Sequence, residues 1–122
     1  MTPEERQAQL RLRAFRDFLP ELRGAIDDVE ATITRFITGI DEGRSIQELV
    51  VDATERRSSL RPSEAVVEYQ RMHKEARLAL FAVAFSEGMS KADIGRAWGI
   101  SRQLSSVYVD EALERFGHPT VK

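Results

Sequence analysis

Arg102, Gln103 and, one turn further on, Ser106 set three hydrogen-bonding side chains close together near the end of the chain. Arg carries a fork of donors that fits the paired acceptors of guanine. Gln offers the donor and acceptor that fit adenine, and Ser is less selective. Four neighbours suit phosphate instead. Lys91 and Arg96 carry charge, while Ser90 and Ser101 stand at helix starts, where first-turn amides can receive an anion. Arg71, Lys74 and Arg77, upstream, are further cations of the kind that fix register without reading sequence. The chemistry this set could perform is recognition of double-stranded DNA.

Other chemistry finds little to work with. The chain has no cysteine, hence no disulfide, thiol nucleophile or zinc-thiolate site. His73 and His118 are far apart and lack a second ligand at metal spacing. Asp27, Asp28 and Glu30 are too close along a helix to share one side, so they read as a solvated face. No phosphate loop, nucleophile elbow or Ser/His/Asp set appears. The expectation is a protein without enzyme activity, metal or cofactor.

The elements that must position these residues read as helices throughout. No run alternates apolar and polar residues, and no hairpin signal occurs. Thr2-Pro3-Glu4-Glu5 starts the first helix. Pro20 interrupts it, and the spacing predicts two nearly collinear segments meeting there. Asp41-Glu42-Gly43 ends the second. Ser45 and Glu48 form a capping box for a third helix with Ile46, Leu49, Val50 and Ala53 inward. A long fourth helix follows Arg61-Pro62-Ser63, over about residues 64–87, and its LALFAVAF stretch is apolar all round, so it should be buried from several sides. Ser90 caps a short fifth helix over 91–98. Ser101 caps a sixth that runs to about Phe116, where Gly117-His118-Pro119 ends it.

Why should a helix stop at Gly99 and restart within three residues? Gly95 puts no side chain where two short helices cross, and Gly99 can take the left-handed turn. Ile94, Trp98 and Ile100 supply the apolar wedge beneath. The segment DIGRAWGISRQ resembles the helix-turn-helix regions of bacterial transcriptional regulators and related site-specific DNA binders. Those read apolar, small, three residues, Gly, apolar, Ser, then polar. Here these are Ile94, Gly95, Arg96-Ala97-Trp98, Gly99, Ile100, Ser101 and Arg102-Gln103. The resemblance implies that the helix from about 102 to 116 enters the major groove, with its N-terminal residues at the bases. Two positions depart from the pattern. Gly95 stands where Ala is usual, and Ser105 where Val or Ile usually points inward. Leu104, Val107 and Tyr108 flank Ser105, which leaves the rotation of the last helix open. A helical wheel places Gln103, Ser106, Asp110 and Glu114 outward, opposite Leu104, Tyr108, Val109, Ala112, Leu113 and Phe116.

The N-terminal part carries a different pattern. Ala8, Leu12, Phe15, Leu19, Leu22, Ile26, Val29, Ile33, Phe36 and Ile40 follow one another in steps of four and three. Such a heptad seam packs one helix along another. It could pack within the chain on the third and fourth helices, but it is long for one small domain, so Leu12 through Ile40 are expected to form a homodimer interface. One reading helix gives little specificity, and pairing on two half-sites fits the same expectation.

At 122 residues, with 42% apolar and 31% charged, the chain is long enough for one globular core. Residues 21–52 hold three Arg against eight acids, so a bound polyanion should lie away from them. The longest apolar run is too short to span a bilayer, and the N-terminus lacks a secretion signal. Arg outnumbers Lys 15 to 3, a bias of GC-rich bacterial genomes. The sequence therefore predicts an all-α, cytoplasmic bacterial protein. Residues 1–60 would be an N-terminal helical oligomerisation region, and 61–122 a trihelical helix-turn-helix that binds DNA and regulates transcription. The alternative is a helical adaptor that contacts transcription machinery or another partner without reading DNA. Salt dependence of binding separates the two.

Overall fold

The computed structural model describes residues 1–56 and 61–117. Every regular element in them is an α-helix: α1 (Pro3–Asp41), α2 (Ile46–Glu55), α3 (Pro62–Ser86), α4 (Lys91–Trp98) and α5 (Arg102–Phe116). No helix among these residues is long and apolar enough to cross a membrane. Local capping explains most boundaries. The Thr2 hydroxyl accepts from the Glu5 amide at 3.0 Å, and the Glu5 carboxylate accepts from the Thr2 amide at 2.8 Å. Ser45 accepts from the Glu48 amide at 3.2 Å, while the Glu48 carboxylate is held by Arg44 instead. Gly117 closes α5 by donating to the Leu113 carbonyl at 3.1 Å. His118 and Pro119, expected to finish that stop, lie outside the described residues.

Two expectations are corrected. α1 is one 39-residue helix with Pro20 inside it, so residues 3–41 make one element where two collinear segments were expected. Proline leaves the Arg16 carbonyl without its usual amide partner. Buried Phe18 and half-buried Leu22 pack on either side of that gap. In α2, Leu49 alone of the four expected inward residues is buried. Ala53 is half-buried, and Ile46 and Val50 are exposed. The reason is geometric: α2 approaches α1 at Gly39, where a Cβ would lie 2.4 Å from Leu49 Cδ2. Leu49 therefore points straight at α1, and its apolar neighbours flank the contact.

The chain divides into two compact units, Met1–Asp17 with Arg71–Lys122, and Phe18–Gln70. In the first, Ala8 of α1 joins Leu78, Ala79, Phe81, Ala82 and Ala84 of α3, Ile94 of α4, and Val109, Ala112 and Phe116 of α5 in one buried cluster. The apolar-all-round half of α3 is its centre, as its composition requires. In the second unit, Phe18, Ala25, Leu49 and Ala65 are buried.

Ionic contacts tie the first unit together. Glu75 on α3 lies 3.1 Å from Arg11 on α1, 2.8 Å from Arg115 on α5 and 3.6 Å from Arg71 one turn before it. The Arg11 and Arg115 guanidiniums also sit 5.4 and 5.3 Å from the Phe116 ring centroid, a cation–π arrangement. The Glu75→Gln variant is expected to lose about 1–2 kcal/mol. Removing the acid leaves three guanidiniums facing one another, but their partial exposure keeps the loss below that of a fully buried pair. Urea unfolding at low and high salt checks this, with the deficit shrinking as salt screens the pair.

Candidate nucleic-acid interface

The stretch from Ser90 to Phe116 is built on local rules. Ser90 caps α4 by accepting from the Asp93 amide at 3.0 Å, and the Asp93 carboxylate returns to the Ser90 amide at 3.4 Å. These bonds hold the Asp93 carboxyl below the usual aspartate range, first through the Ser90 side chain and then its amide, with help from Arg96. α4 ends at Gly99, whose φ of 69° lies in the left-handed region. Its amide and that of Ile100 return to carbonyls of the last turn. Ser101 then opens α5 by accepting from the Leu104 amide at 3.0 Å.

The rotation of α5, open from sequence, is decided where it meets α4. A Cβ on Gly95 would lie 3.1 Å from the Ile100 carbonyl oxygen and 3.2 Å from Ser105 Cβ, so a side chain there would need its neighbours to give way by a few tenths of an ångström. Ser105 is completely buried there, and its hydroxyl donates to the Lys91 carbonyl at 2.6 Å. Ser105 thus occupies the inward position and satisfies its polar group on the neighbouring helix. Val109, Ala112 and Phe116 follow it inward along α5.

What faces outward differs in part from the expectation. Arg102 and Gln103 are exposed at the start of α5. Ser106 is half-buried, and its hydroxyl lies 3.3 Å from the Lys91 ammonium. That ammonium is 2.7 Å from the Asp110 carboxylate, so Lys91, Ser106 and Asp110 form a small cross-helix network. Arg96 is paired with Asp93. The hydroxyls of Ser90 and Ser101 accept the amides that begin their helices. The upstream cations are engaged too. Lys74 lies 3.1 Å from Glu111, and the Arg77 guanidinium 4.4 Å above the Tyr108 ring. Trp98, expected in the wedge, stacks edge-on against Phe81 at 4.8 Å yet keeps 39% of its surface exposed. His73 sits edge-on to Phe15 at 6.0 Å.

Two apolar residues of α5 depart from the sequence argument: Leu104, expected inward, is 39% exposed, and Val107 faces outward. Val107 is 59% exposed, between Gln103 and Asp110. The same wheel that selects Gln103 places Val107 beside it; its apolar character argues for the opposite side. The expected seam residues divide. Leu12, Ile26, Val29, Ile33 and Ile40 are exposed, and Phe15, Leu19, Leu22 and Phe36 half-buried.

The Asp93 cap carries a pH dependence. A carboxyl with a lowered folded pKa stabilises fully above the ordinary aspartate range and loses that contribution as pH falls through the lowered value. The Ser90 amide resonance is expected to titrate with a midpoint below that of a free aspartate, and Asp93→Asn to abolish the transition. A midpoint at the free value would mean that the return bond does not form. Against known proteins, the chain matches no family profile, no curated protein and no solved structure.

Proposed function

We propose that the chain is a sequence-specific DNA-binding protein, a transcriptional regulator that acts as a homodimer. In this reading α3, α4 and α5 make a trihelical helix-turn-helix, and α5 lies in the major groove. The observation that carries it is the α4–α5 crossing. Ser105 turned inward against Gly95 leaves Arg102 and Gln103 at the exposed N-terminal end of α5, where such a helix meets base edges. Val107 adds methyl groups suited to a thymine methyl. Arg102 has no ion pair among the described residues, so its fork is available to guanine.

A second reading is favoured by the same face. Lys91 and Arg96 are paired with acids, and Val107, Leu104 and Trp98 leave apolar surface exposed. A protein-interaction adaptor would present such a face, with affinity nearly indifferent to salt. Phosphate contacts make affinity fall steeply with salt.

Two outcomes are expected for DNA binding. The Arg102→Ala/Gln103→Ala variant should unfold like wild type but lose its preference for the best duplex, by about 1–3 kcal/mol for each bidentate contact. Fluorescence anisotropy on specific and scrambled duplexes measures this. Asp110→Asn should release Lys91 to phosphate and steepen the slope of log K against log salt by about one. A slope near zero for the wild type would favour the adaptor.

A further inference from the structure

The second unit leaves an apolar surface on α1 and α2 uncovered. Ile26, Ile33, Ile37 and Ile40 form a stripe along α1, each 53–57% exposed, with Val29 at its inner edge. Beside the stripe runs a groove between α1 and α2, lined by Val29, Ile33 and Phe36 on one side and Val50 and Ala53 on the other. Ile46 and Val50 continue the apolar surface along α2, at 55% and 49% exposure. Together these seven Ile and Val side chains expose roughly 600–700 Å², above the largest apolar patch of an ordinary monomer, about 300–600 Å². The area approaches one partner's share of a standard interface, about 800 Å².

We infer that this surface pairs with the same surface of a second copy, the two α1 helices running antiparallel, each stripe seated in the other's groove. Three features select a second copy over an unrelated partner. The surface holds both a ridge and a groove, as an isologous interface needs. Ile26, Ile33 and Ile40 recur every seven residues, the period at which two helices keep one seam in contact. The edges of the stripe are charge-complementary to themselves. Arg23 precedes it and Asp41 follows it on the same side of α1, and both are exposed. Antiparallel pairing centred near Ile33 sets each Arg23 against Asp41 of the other copy; parallel pairing leaves Arg23 and Asp41 at opposite ends of the pair.

This inference rests on the two-copy part of the proposed function and is independent of what α5 contacts. The test is sedimentation equilibrium of the full chain without DNA. Wild type should weigh two chains at micromolar concentration. Ile33→Glu/Val50→Glu should raise the dissociation constant roughly a hundredfold, on the scale of interface hot spots, with far-UV circular dichroism unchanged. Both positions are exposed, so folding should survive the change. Arg23→Asp should weaken the dimer, and Arg23→Asp/Asp41→Arg should restore it. A wild type that stays monomeric overturns the inference and gives the groove to a segment of its own chain or to a different protein. A dimer indifferent to Ile33→Glu/Val50→Glu, or a charge swap that fails to restore it, overturns it as well. Arg102→Ala/Gln103→Ala should dimerise like wild type. A wild type that dimerises yet prefers no duplex would count against the DNA reading alone.

Discussion

The close approach of α4 and α5 at Gly95 fixes what the C-terminal face can present. A Cβ there would meet the Ile100 carbonyl and Ser105 at barely more than 3 Å, so α5 can come this near only with a small inward residue. Ser105 fills the position and donates its hydroxyl to the Lys91 carbonyl. Once Ser105 is inward, helical geometry places Val109, Ala112 and Phe116 in the core and Gln103, Val107, Asp110 and Glu114 outside. Any account of what α5 recognises depends on that rotation.

Ion pairs, most of them partly exposed, link the helices of the first unit. Glu75 gathers Arg11, Arg71 and Arg115, Glu111 holds Lys74, and Asp110 holds Lys91. These contacts link α1 to α3, α3 to α5, and α4 to α5, around the apolar cluster centred on Phe81 and Leu78. Side chains that look like phosphate ligands in the sequence therefore act as struts between helices. Arg102 and Gln103 stay exposed at the start of α5, outside these contacts.

Features governed by neighbours in the chain are legible in the sequence itself. The Ser45, Ser90 and Ser101 caps and the left-handed turn at Gly99 follow from interactions spanning a few residues, and the all-round apolar stretch 78–84 announces its place in the core. The choice between two equally regular stripes on α1 is not legible there. Ala8, Phe15, Leu22, Val29 and Phe36 can pair with Leu12, Leu19, Ile26, Ile33 and Ile40, or with Arg11, Phe18, Ala25, Thr32 and Gly39, at the same spacing. The chain turns the second set, not the more apolar one, toward itself. Phe18, Ala25 and Gly39 are buried, and Arg11 and Thr32 half-buried. Small residues let helices approach, as Gly39 does for Leu49, and that advantage is invisible to a count of apolar positions. The Lys91–Asp110 contact joins residues 19 apart, so no local rule announces it.

The proposed function turns on α5 reading a particular DNA sequence. Selection of bound duplexes from a random library, at about physiological salt, tests it most directly. Enrichment of a two-fold symmetric site is expected, with half-sites about one helical turn apart, or a multiple of that, as a dimer of such helices requires. A folded wild-type protein that enriches no sequence would contradict it and leave this face to a protein partner.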